Sequence, residues 1–267
     1  MTSRYFAPRK PRLFGHRGAA GHLPENTLPS FAAALHSGMG YLELDVWATC
    51  DGVVIVHHDE TARRQCGVDR PICDFTLSEL QSLDAGHGFS TDNDASHPFR
   101  GRGIRIPTLE EVFAAFPGAL CNIEIKQQTP AIEELTVAAI RRAGKEKEVL
   151  LASEQDDIMQ RLRKICGAIP TSASAGEVAA FMAWVGGGCE TSFSLPAQAL
   201  QIPETWGDHT LVTPETVAVA HALGLEIHVW TVNERSAMDR LLLLGVDGLM
   251  SDFPEILADV ARLFPRR

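Results

Sequence analysis

Three carboxylates in this chain stand at strand spacing. Glu43 and Asp45 lie two apart in the apolar run Tyr41-Leu42-Glu43-Leu44-Asp45-Val46. Side chains alternate across a strand, so both acids point to the same side. Asn122, Glu124 and Lys126 share a face of a second such run. If the three carboxylates converge at neighbouring strand ends they repel, and one keeps its proton unless a cation sits between them. All-oxygen ligation suits one divalent cation, Mg²⁺ or Ca²⁺ with Mn²⁺ as a further candidate, rather than zinc. The alternative is a structural ion pair of Glu124 with Lys126 or Arg17.

His16 and His58 add an acid/base pair. Such a pair suits phosphoryl transfer: one imidazole takes a proton from the attacking hydroxyl and the other gives one to the leaving oxygen. We read His16 as base and His58 as acid; the nucleophile is either water or a neighbouring hydroxyl that closes a cyclic phosphate. His57 falls on the opposite face of the strand from His58. His57, His22, His87, His97, His209, His221 and His228 need no role beyond surface or capping positions. Arg17 and Lys126 would neutralise a bound phosphate, the arginine by a bidentate contact. Trp230 offers an apolar platform for a small polyol or acyl part, or else is a core tryptophan.

The elements that must position these groups alternate. A short apolar stretch, Arg12-Leu13-Phe14, stops at Gly15-His16-Arg17-Gly18. Asn26 or Thr27 caps a helix with Phe31, Leu35 and the alanines on its buried face. The carboxylate strand turns at Asp51-Gly52 into Val53–Val56, which ends in His57-His58-Asp59. Thr76-x-x-Glu79 and Thr108-x-x-Glu111 are capping boxes. Further strands are expected at 119–125, 149–152, 168–174, 199–203, 226–232 and 248–251. Ser153, Thr213 and Asn233 are expected to start helices, and Pro254 opens the last one. Nine strand candidates interleaved with helices argue for a parallel sheet. They fit a (β/α)8 barrel with one strand outside the ring. An open doubly wound sheet is the alternative, but no GxGxxG or P-loop run follows an early strand. In a barrel, the strand-end residues His16, Arg17, Glu43, Asp45, His58, Glu124, Lys126, Trp230 and Asp252 ring one mouth.

We read 1–267 as a single α/β barrel domain with its core at 11–262 and an inserted segment at 60–107, rich in arginine, glycine and proline. The net charge of -10 argues against a nucleic-acid partner. The basic termini (Arg4, Arg9, Lys10, Arg12; Arg262, Arg266, Arg267) suit solvated ends. None of the six cysteines forms a CxxC pair, and although Cys66 and Cys73 could meet within one loop, reduced thiols are expected. The first residues lack the apolar core of a signal peptide, and no apolar run is long enough to span a bilayer. A cytoplasmic protein without stable membrane insertion is expected, and nothing indicates a homo-oligomer.

The motifs HRG (16–18), PENT (24–27), F-x-x-A-x-x-x-G (31–38), E-x-D-V (43–46), T-x-D-G (49–52), HD (58–59), N-I-E-I-K (122–126), VWTVN (229–233) and G-V-D-G-x-x-S-D-x-P (245–254) occur in an order that resembles the bacterial glycerophosphodiester phosphodiesterases, the short cytoplasmic branch above all. The likeness spans nearly the whole chain. It implies a TIM-type barrel of the PLC-like phosphodiesterase kind with a small insertion after the third strand, the one bearing His58. It implies metal-dependent hydrolysis of small glycerophosphodiesters such as glycerophosphocholine to an alcohol and sn-glycerol 3-phosphate. The positions matching Glu43, Asp45 and Glu124 hold the divalent cation. Those matching His16 and His58 are the acid/base pair, those matching Arg17 and Lys126 contact phosphate, and that matching Trp230 lines the pocket. Two departures concern the leaving alcohol. After HD the family continues R-T-T-x-G, where this chain has Glu60-Thr61-Ala62-Arg63-Arg64-Gln65-Cys66-Gly67; at the fifth strand end it often has Ser-Phe, where this chain has Ser153-Glu154.

Two rivals stand beside that reading. A phospholipase D-like enzyme acting on lysophospholipids or sphingolipids would need an apolar, membrane-accessible mouth. The insertion is polar overall, with Phe75, Phe89 and Phe99 scattered, which ranks this lower. A non-catalytic barrel that binds a phosphorylated ligand would be expected to have lost a catalytic position, and none is lost.

Overall fold

The computed structural model describes residues 3–265; Arg266 and Arg267 of the basic C-terminus lie outside the described residues, as do the first two residues of the single-domain span. Ten strands run in chain order: β1 (Arg12–Gly15), β2 (Tyr41–Ala48), β3 (Val54–Val56), β4 (Leu120–Ile125), β5 (Val149–Ala152), β6 (Ala199–Pro203), β7 (Thr205–Trp206), β8 (His209–Thr210), β9 (Glu226–Trp230) and β10 (Gly248–Ser251). Seven of them form one parallel run in the order β5-β4-β2-β1-β10-β9-β6. Its two ends meet at Thr171 and Ser172. Thr171 bridges Leu151 of β5 and Ser172 bridges Ala199 of β6, both in parallel sense. The ring thus closes at eight positions as a (β/α)8 barrel. The strand expected over 168–174 shrinks to this pair of bridges. Pro170 has no N–H to donate, and Ser174 already precedes the helix Ala175–Gly186. β3 pairs antiparallel with β2 and lies outside the ring, as does the separate β7–β8 hairpin.

Alternation along β2 explains both layers. Leu42, Leu44 and Val46 join Ile123 and Ile125 of β4 in the core under the helices. Tyr41 turns inward, with Phe14, Leu120, Leu150 and Met250, and Tyr5 from the N-terminal segment joins them. Arg12 is only 2% exposed, and its guanidinium donates to Glu226 over 2.6 and 2.7 Å and to the Tyr41 hydroxyl over 2.7 Å. His228 and His57 are fully buried, which corrects the surface or capping positions expected for them. His228 Nε2 lies 3.0 Å from Glu226 Oε2, so its buried ring has a charged partner. His57 sits beside β3, and its backbone N–H donates to the Asp45 carbonyl.

The helix Leu28–His36 is capped by Thr27 and buries Phe31 and Ala34, and both threonine capping boxes form. Ser153 does not start the helix Asp156–Arg163; its hydroxyl donates to the Ile125 carbonyl of β4 instead. The segment after β3 carries the short helices Arg63–Cys66 and Leu77–Gln81. It packs a second apolar cluster of Ile72, Phe75, Leu80 and Ile106 against Trp47 and Ile55. All six cysteines are unpaired. No helix among the described residues is long and apolar enough to cross a membrane.

Candidate active site

Because the ring strands are parallel, their C-terminal ends share one mouth, and every candidate residue from the sequence meets there or just beneath it. Register decides which acids touch. Asp45 of β2 pairs with Glu124 of β4, and Glu43 pairs with Asn122. Glu43, Asp45 and Glu124 each offer an oxygen within 4.8 Å of the others. The expected ion pair is present as well: Lys126 Nζ lies 2.7 Å from Glu124 and 3.4 Å from Asp45. Arg17 Nε lies 3.3 Å from Asp45 Oδ2.

The electrostatics tests whether this set suits a cation. Burial, then the neighbouring Asp45 charge, pushes the Glu43 carboxyl up to about 7. Burial likewise raises Glu124, against the opposing pull of Lys126. Asp45 moves down, because Lys126, Arg17, His58 and a bond from Asn26 outweigh its burial. Three carboxylates with one still holding its proton near neutrality is a donor set short of positive charge, and it fits one hard divalent cation.

Each histidine is held by a carboxylate through Nδ1. His16 Nδ1 is 2.7 Å from Asp252 Oδ1, and His58 Nδ1 is 2.7 Å from Asp59 Oδ1. With Nδ1–H donated, Nε2 is left to exchange protons. Burial alone would lower the His16 pKa; the Asp252 bond and the Glu43 charge outweigh it, and the net direction is up. His57 points away from His58, as alternation requires.

The residues that hold this constellation were mostly given no role by the sequence. Arg17 and Asn26 both have left-handed backbones, φ 51° and 56°, uncommon for residues with a Cβ. Each reaches a candidate ligand from that conformation. The Arg17 N–H donates to Glu43 Oε2 over 3.0 Å, and the Asn26 amide donates to Asp45 Oδ2 over 2.9 Å. Glu25 accepts from Arg17 Nη1 over 3.1 Å. Asn26 and Glu25 belong to the PENT run, which carried the signal. Asn233 does not cap its helix, which starts at Arg235 after Glu234. Its side chain is committed to Asp252, donating to Oδ2 over 2.7 Å and accepting from the Asp252 N–H.

The mouth opens into a pocket of about 1090 Å³. Its walls divide by chemistry. His16, Arg17, Glu43, His58, Glu124 and Lys126 line the arc around β1, β2 and β4. Across the ring, Val178, Met182, Ile202, Leu211, Trp206 and Trp230 form an apolar wall. Trp230 is half-buried and also packs on the inner cluster, so it is both platform and core. Trp206 stands on the β7–β8 hairpin with 69% of its surface exposed. Phe75 is buried in the insertion, and Phe89 packs edge-on against Phe99. The apolar side of the mouth therefore does not come from the insertion, where it was sought.

A model of the Glycerophosphoryl diester phosphodiesterase family matches residues 16–256. A glycerophosphodiester phosphodiesterase of Caldanaerobacter subterraneus subsp. tengcongensis is 32% identical over 261 residues, covering 95% of this chain and 98% of that protein. A lysophospholipase D of Homo sapiens is 28% identical and covers 93% of this chain and 85% of its own. The solved structure of an Oleispira antarctica phosphodiesterase in complex with the product sn-glycerol-3-phosphate aligns with a TM-score of 0.74 at 25% identity, over 94% of this chain and 97% of that one.

Proposed function

The chain belongs to the glycerophosphoryl diester phosphodiesterase family, and from that premise we propose a divalent-cation-dependent hydrolase that splits small glycerophosphodiesters into an alcohol and sn-glycerol 3-phosphate. The observation that carries the reading is the convergence of Glu43, Asp45 and Glu124 with two carboxylate-held histidines at one barrel mouth. The product named for the Oleispira structure agrees with the proposed reaction.

Arg17 and Lys126 bind the phosphodiester oxygens and offset the charge that grows on them in the transition state. The attacking oxygen, from water or from the neighbouring glycerol hydroxyl, bonds to phosphorus as one histidine takes its proton. The P–O bond to the leaving alcohol breaks, and the other histidine protonates that oxygen; where the glycerol hydroxyl attacks, water then opens the resulting cyclic phosphate to give sn-glycerol 3-phosphate. His16 serves as base and His58 as acid. Glu43, Asp45 and Glu124 would hold a divalent cation, Mg²⁺ or Ca²⁺ with Mn²⁺ third, which would supply Lewis-acid chemistry at the phosphodiester. Trp230 packs against the apolar face of the bound polyol. The six unpaired cysteines support action in the cytoplasm, which fractionation of cells expressing the chain would test.

The deciding experiment measures sn-glycerol 3-phosphate released from glycerophosphocholine and glycerophosphoethanolamine, with excess EDTA and then with each cation restored. Release that stops with EDTA and returns with metal is expected. No release from any soluble diester with any of the three metals would overturn the proposal.

A second reading, phosphodiester hydrolysis of lysophospholipids, is favoured by the apolar wall and the exposed Trp206. It expects faster turnover of lysophosphatidylcholine above its micelle-forming concentration than of glycerophosphocholine. The reverse order would remove it.

A further inference from the structure

The helix Arg63–Cys66, the first of the inserted segment, lies in the run where this chain departs from the family pattern, and it sends Arg64 back to the mouth. The Arg64 guanidinium is shared between two carboxylates. Its Nε and Nη2 donate to Asp59 over 2.7 and 3.1 Å, and its Nη1 and Nη2 donate to Glu25 over 2.9 and 2.7 Å. Each carboxylate has a second partner. Asp59 holds His58 Nδ1 at 2.7 Å, and Glu25 accepts from Arg17 Nη1 at 3.1 Å. An unbroken chain of charged contacts, His58–Asp59–Arg64–Glu25–Arg17, therefore joins a proton-exchanging imidazole to the phosphate-facing guanidinium.

We propose that Arg64 is a positioning residue that fixes the His58 imidazole and the Arg17 guanidinium relative to each other, so that the inserted segment takes part in aligning the reaction. The inference rests on the function proposed above. Its physical basis is the shape of the guanidinium. A planar fork can satisfy two carboxylates at once with fixed angles, whereas an ammonium is a point charge that favours one. The Arg64 side chain is 51% exposed, so its ion pairs add little to folding stability. Its effect belongs in the rate, because misplacing a catalytic group by about 1 Å lowers turnover by on the order of 100-fold.

The test compares wild type, Arg64→Ala and Arg64→Lys on glycerophosphocholine with saturating cation, alongside inhibition by inorganic phosphate and thermal melts. Arg64→Ala is expected to lower kcat about 10- to 100-fold and to weaken phosphate inhibition, with the melting temperature nearly unchanged. Added guanidinium is expected to restore part of the rate of Arg64→Ala and none of that of wild type. Arg64→Lys, folded and charged, should fall between the two. Wild-type turnover in the same assay separates this inference from the reading beneath it, since an inactive wild type would sink the reading itself. With wild type active, a kcat within two-fold for both variants overturns the inference. So does a rate loss that tracks a lowered melting temperature and ignores guanidinium.

Discussion

Asp252 Oδ1 lies 2.7 Å from His16 Nδ1, while Asn233 donates to the other oxygen of the same carboxylate. This places His16 at the end of a three-member relay that runs from the end of β9 through that of β10 to that of β1. Replacing Asp252 by Asn keeps the shape but puts an amide where the acceptor stood, which permits the wrong tautomer. Steady-state kinetics should then show kcat reduced by about 100-fold, with a smaller loss for Asn233→Ala. An Asp252→Asn enzyme within three-fold of wild type would remove the relay.

The raised Glu43 carboxyl fixes a pH dependence. Its folded value, about 7, lies above the ordinary 4.5, so the folded chain holds a proton that the unfolded chain has lost across that interval. This contribution is fully present below about 4.5 and disappears as pH rises to about 7. In EDTA, the Glu43→Gln variant should therefore gain stability relative to wild type as pH climbs from 5 to 8. Added Mg²⁺ or Ca²⁺ should raise the wild-type melting temperature more at pH 8 than at pH 5, because binding must displace the proton. Equal cation shifts at both pH values would contradict this.

At the other end of the barrel, Arg12 neutralises Glu226 with almost no access to water. Arg12→Met fills the space but leaves the carboxylate with only Lys10, 3.2 Å away, and His228. We expect a loss of about 3 kcal/mol in urea unfolding, the usual result of stranding one member of a buried pair. A loss below about 0.5 kcal/mol would show the pair to be dispensable.

Trp206 tests the apolar arc. Trp206→Ser should leave glycerophosphocholine hydrolysis within about two-fold while lowering turnover of long-chain lysophospholipids about ten-fold, in line with burial of one large aromatic face. Equal losses on both substrates would show that the hairpin supports the site rather than the chain of the ligand.

The carboxylate pair was legible because strand alternation is local: two positions apart suffices to place Glu43 and Asp45 together. The same rule separated His58 from His57. The ring was legible from the alternation of elements, since few architectures accommodate so many of them. Contacts set by long-range register were harder. Asp252 was recognised only as a strand-end residue, because nothing near it in sequence announces that β10 lies against β1. Asn233 was read as a cap for a related reason, its type suiting a helix start while its true partner lies 19 residues on. The β7–β8 hairpin did carry a local signal. Gly207-Asp208 sits between Trp206 and His209, with φ 56° at Gly207, a conformation that glycine adopts without strain.

The two-part mouth has a consequence for how such an enzyme changes. The groups proposed to move protons and neutralise phosphate hang from β10, β1, β2, β3 and β4, whereas the apolar wall hangs from β6, β9, the helix Ala175–Gly186 and the hairpin. Substitutions in the second arc can therefore retune which diester is accepted while the reaction centre stays as it is. In engineering terms the barrel is two modules soldered along one rim, and a library confined to residues 175–186 and 203–211 would search substrate preference on a fixed catalytic background.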